Sequence, residues 1–362
     1  NSPFIKLKAG KLMKISTLMS YANGFMGATK EIVEMEKAGL NVVWVPEAYS
    51  FDGVSAMGYI AAKTEKVTIA SGILNIYSRT PSLMAMTAAG IDSLSEGRFM
   101  LGLGASGPQV VEGFHGIPYD APITRIREVV EICRKVWRRE EKLDHQGKKY
   151  QIPLPKDRGT GLGKALKIIN HPYREEIPIA LATLGEKSVE MTAEIADAWL
   201  PAFFMAEGAQ QVWGDALTKG NAKRDPGRPP LDVYAGGSVA IGEGLEGYRD
   251  MARPGIALYV GGMGAKEKNF YNQVFRKYGY EEEAEKIQDL YLEGRKSEAE
   301  AAIPSSYIDA TSLVGPESFV AERLHAFKEN GVTSLNVSFL GTTGKERIEN
   351  CHKLSNLIAK AL

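Results

Sequence analysis

The stretch "FMLGLGASG" carries three glycines whose spacing suits a phosphate-bearing cofactor. Gly102, Gly104 and Gly107 spell G-x-G-x-x-G directly after an apolar run. In a dinucleotide-binding unit the third glycine opens a helix, and an acidic residue about 20 positions further on binds a ribose. Here further glycines and prolines follow at once, and the later position is Arg127. The pattern therefore predicts a backbone that approaches a phosphate without a Rossmann unit; the alternative is that Gly102 and Gly104 only permit close strand packing.

Glu47 is the carboxylate best placed for chemistry, because it directly follows an apolar run. A carboxylate there either contacts a ligand or caps a helix and forms an ion pair. Trp44 and Tyr49 flank it, and aromatic side chains at such a place suit a planar ring, although Trp44 at this spacing also suits a core.

Other catalytic arrangements are missing from the sequence. The five histidines are scattered without metal-ligand spacing, so no metal site is expected. No G-x-S-x-G elbow occurs and neither Cys133 nor Cys351 follows a strand, so acyl-enzyme chemistry has no visible nucleophile.

Composition limits the partners. The 362 residues contain 44 Lys and Arg against 44 Asp and Glu, so no overall field attracts nucleic acid or an anionic membrane. No apolar run is long enough to span a bilayer, and two cysteines without a Cys-x-x-Cys pair suit a reduced, cytoplasmic setting. We expect a small-molecule substrate rather than nucleic acid or membrane.

The elements that position these residues alternate along the chain. Short β-branched apolar runs alternate with helical patterns, which is typical of a parallel sheet covered by helices. Eight such units predict an α/β fold, a (β/α)8 TIM barrel that forms a single domain over residues 1–362. The predicted strands are 14–19, 41–45, 67–71, 98–103, 177–182, 198–201, 232–240 and 334–339. The predicted helices are 28–38, 52–63, 81–94, 123–140, 186–195, 206–219, 242–259, 315–330 and 344–362.

Two segments do not fit the repeat. Residues 143–172, after strand four, are rich in Gly, Pro and Lys and predict a long loop with a hairpin. Residues 261–312, between units seven and eight, predict three inserted helices. We expect both to cover the barrel mouth; the alternative for the second is a wider helical coat or a subunit contact.

In such a barrel the ligand site lies on the loops after the strands. The loops after strands four and five bear glycines ahead of a helical pattern, where free N–H groups and the helix dipole favour a phosphate.

Four segments together resemble a known family: "VWVPEAYSFD", "TPSLMAMTAAGIDSLSEGRFMLGLGASGPQVVEGFHG", "LPKDRGTGLGKALK" and "IPIALATLGEKSVEMTAEIADAWLPAFF". They resemble the luciferase-like monooxygenase superfamily, and more narrowly its actinobacterial oxidoreductases that use the deazaflavin coenzyme F420. The similarity runs from about residue 14 to 338 and is most specific over 93–116.

The resemblance implies a cofactor at the strand ends. A non-proline cis peptide is expected around Ser71–Gly72–Ile73, below the ring, and the phosphate-bearing tail is expected on the turns after strands four and five. The cofactor-binding residues that it implies are Glu47, Gly72, Ile73, Ala105, Ser106, Gly107, Gln109, Val110, Thr183, Leu184, Gly185, Lys187 and Ser188. Family habit also favours a homodimer.

The sequence departs from the sugar-phosphate dehydrogenases of the superfamily. Ala48 replaces their catalytic histidine, and Ser106-Gly107-Pro108 stands where they place a glutamate. Hydride transfer at the deazaflavin C5 to an activated C=C, C=O or nitro acceptor is therefore expected, with Glu47, Tyr49 and Ser20 as the catalytic candidates. Tyr49, Ser20 or water would donate a proton. The alternatives are an FMN-dependent monooxygenase and a barrel that only binds a flavin-like ligand.

Overall fold

Eight parallel strands close into a barrel in a computed structural model that describes residues 12–20, 24–264 and 266–362. Parts of the predicted single domain, residues 1–11, 21–23 and 265, lie outside this description. Each strand pairs with the next, and the last pairs with the first from Lys14 opposite Ser334 onward. The barrel strands are β1 Lys14–Leu18, β2 Val42–Val45, β3 Thr68–Ser71, β4 Phe99–Gly104, β5 Ile179–Leu181, β6 Ala198–Trp199, β7 Asp232–Ala235 and β8 Ser334–Phe339.

The strands are almost continuously apolar because helices cover one face and the barrel interior the other. In the interior, the Trp44 Nε1–H donates to Ser16 Oγ at 2.9 Å, and the Trp44 ring meets Tyr234 edge to face. Trp44 thus belongs to the core. The buried interior residues are Val42, Trp44, Ala70, Met100, Ala180, Ala198 and Tyr234.

Eight helices form the outer coat, and local signals set their starts. Thr80 caps α3 ahead of Pro81, and Thr343 with Glu346 forms a capping box on α8. The helices are α1 Phe25–Lys37, α2 Gly53–Lys63, α3 Pro81–Leu94, α4 Pro122–Arg138, α5 Glu186–Ile195, α6 Ala209–Lys223, α7 Glu317–Glu329 and α8 Gly344–Ala361. Shorter elements are the strand Leu74–Asn75, the one-turn helix Pro108–Val111 and a 3₁₀ turn at Ala206–Gly208.

The prediction of one strand over 232–240 is wrong in one respect, because Gly236 and Gly237 interrupt the strand. A Cβ on Gly236 would lie 2.6 Å from Asn336 O, and one on Gly237 would overlap Thr311 O. This close backbone approach divides the segment into β7 and a further strand. The further strand, Ser238–Ile241, pairs with the end of β8 and with Leu313–Gly315.

The single helix predicted over 242–259 is also wrong. The segment forms a 3₁₀ helix at Glu246–Ala252, an α-helix at Arg253–Ala257 and a π-helical turn at Leu258–Gly262. The insertion continues after this turn with four α-helices instead of three. These follow a 3₁₀ turn at Lys266–Lys268 and are Phe270–Lys277, Glu281–Leu292, Lys296–Ala301 and Ser305–Ala310.

Residues 143–172 leave from the end of α4. They contain the predicted hairpin, His145–Gln146 with Gln151–Ile152, and a 3₁₀ turn at Lys156–Arg158. The Glu128 carboxylate on α4 accepts three backbone N–H groups of the hairpin turn, those of residues 148–150. These contacts hold the hairpin along α4, and Lys149 also pairs with Asp120 ahead of that helix. That the whole segment covers the barrel mouth stays a prediction.

Candidate active site

The floor of the barrel mouth is made of small residues. Ala70 and Ala180 face the interior, and side chains on one strand face the same way at every second position. The next such positions toward the mouth are Gly72 and Ala182. A Cβ at Gly104 would lie 3.0 Å from the Ile73 side chain and 3.7 Å from Ala182 Cβ, so the ends of β3, β4 and β5 converge. The floor therefore presents little side-chain bulk toward the mouth.

The cis peptide predicted at residues 71–73 is present between Gly72 and Ile73. It lies beside Gly102, where a Cβ would overlap Ser71 O. Gly102 therefore permits packing between β3 and β4, and the interpretation that it lets the backbone approach a phosphate is wrong. Gly104, crowded by Ile73, serves packing as well.

Glu47 forms a bidentate ion pair with Arg79 from the loop after β3. Arg79 Nη1 and Nη2 donate to its two carboxylate oxygens at 2.6 and 2.8 Å, and the Gly53 N–H at the start of α2 donates at 2.7 Å. The side chains are only 11% (Glu47) and 13% (Arg79) exposed. Burial raises the pKa of Glu47, but the Arg79 guanidinium and the Gly53 N–H outweigh it and hold this pKa below its ordinary value.

This ion pair defines what Glu47 can do. As a carboxylate that already accepts three hydrogen bonds, it stays charged at neutral pH and cannot supply a proton. It joins the loops after β2 and β3, and so fixes the backbone next to the cis peptide. Sequence reasoning missed Arg79, although a lone cation in the loop after a predicted strand was a usable signal.

The other catalytic candidates lie at the rim. Tyr49 is 68% exposed, and its ring centroid is 6.2 Å from that of Phe114, which joins the loops after β2 and β4. His115 packs edge to face on Phe114 and is half-buried; no side chain in the described ranges hydrogen-bonds its ring. Ser20 is exposed after β1, and the rest of that loop, residues 21–23, lies outside the described residues. These candidates thus surround the mouth rather than form one cluster.

The loop after β4 carries the third glycine of the motif. Ser106 has a left-handed backbone with φ +57°, and its carbonyl accepts a long hydrogen bond from Tyr119 Oη at 3.4 Å. Gly107 has φ −123°, so it does not need the left-handed freedom of glycine. The helix after it is a single turn in which the Val110 and Val111 N–H groups return to Gly107 O. Its dipole is correspondingly small.

The turn after β5 is held by two buried tryptophans. The Trp199 Nε1–H donates to Thr183 O and the Trp213 Nε1–H to Leu184 O, each at 3.0 Å. The Thr183 hydroxyl bonds to the Thr192 hydroxyl of α5 at 2.7 Å. Because its carbonyls have buried donors, the turn reaches α5 in one fixed conformation.

The N-terminus of α5 leaves its first backbone N–H groups without a side-chain cap. Gly185 is its N-cap. Because Ser188 Oγ donates to Gly185 O, the N–H groups of residues 186–188 keep their hydrogen-bonding capacity for a ligand. Lys187 is exposed and forms no ion pair with any described residue.

The insertion reaches this turn with aromatic side chains that the sequence prediction did not include. A Cβ on Gly185 would lie 3.6 Å from the Phe270 ring, and Phe270 is 58% exposed. The cluster of aromatic residues in "KNFYNQVF" was the available signal. This part of the insertion therefore borders the mouth beside β5, as predicted for the segment 261–312.

Within the described ranges no group of three or more His, Cys, Asp or Glu side chains is arranged to hold a metal ion. No helix in the described part of the chain combines the length and apolar character needed to cross a membrane.

Comparison with known proteins gives consistent results. The family model for luciferase-like monooxygenase matches residues 13–334. A Mycobacterium tuberculosis protein that has been assigned the name coenzyme F420-dependent oxidoreductase is 37% identical over 310 residues, 85% of this chain and 89% of that protein. A 5,10-methylenetetrahydromethanopterin reductase of Archaeoglobus fulgidus is 26% identical over 83% of this chain and 85% of its own length. The coenzyme F420-dependent tetrahydromethanopterin reductase of Methanopyrus kandleri has the same fold, with a TM-score of 0.75 and 22% identity over 95% of this chain and 98% of its own.

Proposed function

The chain belongs to the luciferase-like monooxygenase family, and we propose that it is a coenzyme F420-dependent oxidoreductase. The proposed reaction is hydride transfer between the deazaflavin C5 and a small organic substrate, in the direction that reduces an activated C=C, C=O or nitro group. The name of the mycobacterial relative supports the cofactor. The observation that carries the proposal is that Ile73, Gly104 and Ala182 converge at the strand ends. Ala182 lies only three positions before Gly185, where α5 starts without a side-chain cap.

The residues at the mouth fit such a cofactor. The small floor and the Gly72–Ile73 peptide would hold a flat ring, while the N–H groups of residues 186–188 and Lys187 offer hydrogen bonds and charge to an anionic tail. Residues 105–110 would line the same tail. The bound deazaflavin supplies a two-electron hydride carrier, so the protein's part is alignment and the placement of polar groups.

The groups around Glu47 support the proposed direction of the reaction. Oxidation of an alcohol needs a base for its proton, and a positioned base contributes about 10²- to 10⁴-fold to the rate. Ala48 has no such group, and Glu47 is bound by Arg79 and the Gly53 N–H. His115 is the remaining candidate base. Reduction of an acceptor requires less, and Tyr49, Ser20 and water stay the proposed proton donors.

A binding titration tests the cofactor. We expect F420 to bind with submicromolar to micromolar affinity and FMN to bind much more weakly. Fluorescence quenching measures both affinities. Equal or tighter binding of FMN would contradict the proposal and favour the monooxygenase alternative.

A turnover assay tests the reaction. Under anaerobic conditions, reduced F420 with an electron-poor enone should regain the visible absorbance of the oxidised deazaflavin, at a rate proportional to protein concentration. No acceleration over the protein-free control with enone, quinone or nitro acceptors would contradict hydride transfer. It would favour a barrel that only binds the ligand.

We also propose a homodimer, on the family habit that the sequence indicates. Light scattering coupled to size exclusion measures it directly: twice the chain mass of 39.5 kDa is expected. A monomeric mass at micromolar concentration would overturn this part.

A further inference from the structure

Phe203 occupies an unusual conformation four residues after the end of β6. Its φ is +56°, a left-handed backbone that a bulky side chain adopts only where its surroundings enforce it. Its ring meets Tyr259 at 5.6 Å and Tyr271 at 5.4 Å between centroids; Tyr259 lies in the π-helical turn that leads into the insertion, and Tyr271 lies in the insertion itself. The strained residue thus fastens the insertion to the segment after a barrel strand.

The second irregularity is the π-helical turn that presents Tyr259. A π turn leaves carbonyls without their usual partners, and two buried asparagines take them. Asn269 Nδ2 donates to Tyr259 O and Val260 O at 2.8 and 3.0 Å, and Asn272 Nδ2 donates to Val260 O at 3.1 Å. Gly261 packs on Tyr291, where a Cβ would lie 2.5 Å away. Several contacts therefore maintain a geometry that a regular helix would not need.

The hydroxyls of these two tyrosines are without protein partners. No described residue accepts from or donates to the hydroxyl of Tyr259 or Tyr271, and neither oxygen is sealed from solvent. The rings are 4.8 Å apart and meet edge to face. Burial, with a smaller effect of Tyr259, raises the pKa of Tyr271 to about 12, so its hydroxyl stays a hydrogen-bond donor at neutral pH.

We propose that Tyr259 and Tyr271 form the oxygen-binding wall of the acceptor site and donate hydrogen bonds to the carbonyl or nitro oxygen of the substrate. This inference rests on the proposed function and names its substrate class: a flat, largely apolar molecule with an oxygen acceptor at one end. Negative charge develops on that oxygen when hydride reaches the conjugated carbon. Neutral donors aimed at such an oxygen are worth about 10²- to 10³-fold in turnover.

The adjacent contacts agree with this class of substrate. Phe270 follows the π turn and precedes Tyr271, and its exposed ring lies against Gly185 at the start of α5. The same short segment therefore borders both the turn before α5 and the Phe203 cluster. An acceptor at this wall would lie near the turn before α5, whose N–H groups are proposed to hold the tail of the cofactor.

A chromophoric aldehyde tests the inference without turnover. 4-Dimethylaminocinnamaldehyde is flat and conjugated, and its absorption moves to longer wavelength when its carbonyl oxygen accepts hydrogen bonds. It is titrated into the wild type, Tyr259→Phe, Tyr271→Phe and the double variant, each with and without oxidised F420. Tyr280→Phe is the matched control, because it removes a hydroxyl of the same insertion that already bonds to Ser306 at 2.9 Å.

We expect a red shift with the wild type and with Tyr280→Phe, a smaller shift with each single variant and none with the double variant. Each lost hydrogen bond should weaken probe binding about two- to tenfold. Circular dichroism and melting temperature confirm that the variants fold. An unchanged shift in the folded double variant, or no shift with the wild type, overturns the inference.

The two proposals fail separately. If F420 binds with micromolar affinity but the shift ignores both tyrosines, the cofactor proposal stands and the tyrosine inference falls. If F420 does not bind but the shift depends on the tyrosines, the acceptor wall stands and the cofactor proposal falls.

Discussion

Replacement of Gly185 by valine should abolish tight F420 binding and leave the fold intact. Gly185 has φ −72°, which any residue adopts, and a Cβ there meets only ordinary contacts, 3.6 Å from the Phe270 ring and from Ser188 Oγ. The protein alone therefore does not require glycine. If a larger residue at Gly185 weakens F420 binding but not the fold, the bound cofactor must approach the backbone closely at this turn.

The magnitude follows from the N–H groups at the start of α5. An isopropyl group at Gly185 would keep an anion away from about two of them. A hydrogen bond to a charged group is worth about 1.5 to 3 kcal/mol, so the loss is about 3 to 6 kcal/mol, or about 10²- to 10⁴-fold in affinity. Alanine, which blocks about one, should cost about 10- to 100-fold. An apolar N-cap in place of glycine costs the fold about 1 kcal/mol or less.

The assay compares affinity with stability. F420 titration by fluorescence quenching and thermal denaturation are run on wild type, Gly185→Ala and Gly185→Val. Gly90→Val is the control, since it adds the same side chain to open space on the outer coat. If melting temperature collapses in step with affinity, Gly185 is a packing residue. If affinity is unchanged in the folded variant, the anionic tail does not lie on this turn.

Further variants test the rest of the site. Arg79→Met should lower the free energy of unfolding by about 3 to 5 kcal/mol, because it leaves the nearly buried Glu47 carboxylate without its partner. Urea denaturation of this variant, and of the double variant that also carries Glu47→Gln, measures the effect. The pKa of Glu47 lies below its ordinary 4.5, so the ionised carboxylate stabilises the fold above that pH. This stabilisation is lost as the pH falls through the folded-state pKa, and Glu47→Gln should therefore make the free energy of unfolding depend less on pH in this acidic range. Gly102→Ala should destabilise the barrel before any ligand is added, because its Cβ would overlap Ser71 O; a wild-type melting temperature would refute the packing role. Glucose-6-phosphate should not reduce F420 with this enzyme; sugar-dependent bleaching that disappears in His115→Ala would show that His115 is an overlooked base.

Local signals in the sequence are sufficient for the barrel and for the glycine turn before α5. Alternation of short apolar runs with helical patterns predicts all eight barrel strands, because strand and helix periodicities are set within a few residues. The glycine turn before α5 is local in the same sense, since a helix start exposes its own N–H groups. The resemblance adds the position of the cis peptide, which the structure places between Gly72 and Ile73.

Contacts that depend on closure of the barrel are beyond such signals. Glu47 and Arg79 are 32 residues apart, and only the neighbouring positions of β2 and β3 bring them together. Gly102 and Gly107 belong to one sequence motif but have different surroundings, because β3 approaches the first and leaves the second at the mouth.

The insertion shows the same distinction most clearly. The sequence by itself determined that residues 261–312 are helical and rich in aromatic side chains, since composition and periodicity are local properties. Only the tertiary structure decided that Tyr259 and Tyr271 meet Phe203 beyond the end of β6. The reason is physical: a side chain's contacts are set by the packing of distant elements, and that packing exists only once the barrel has closed.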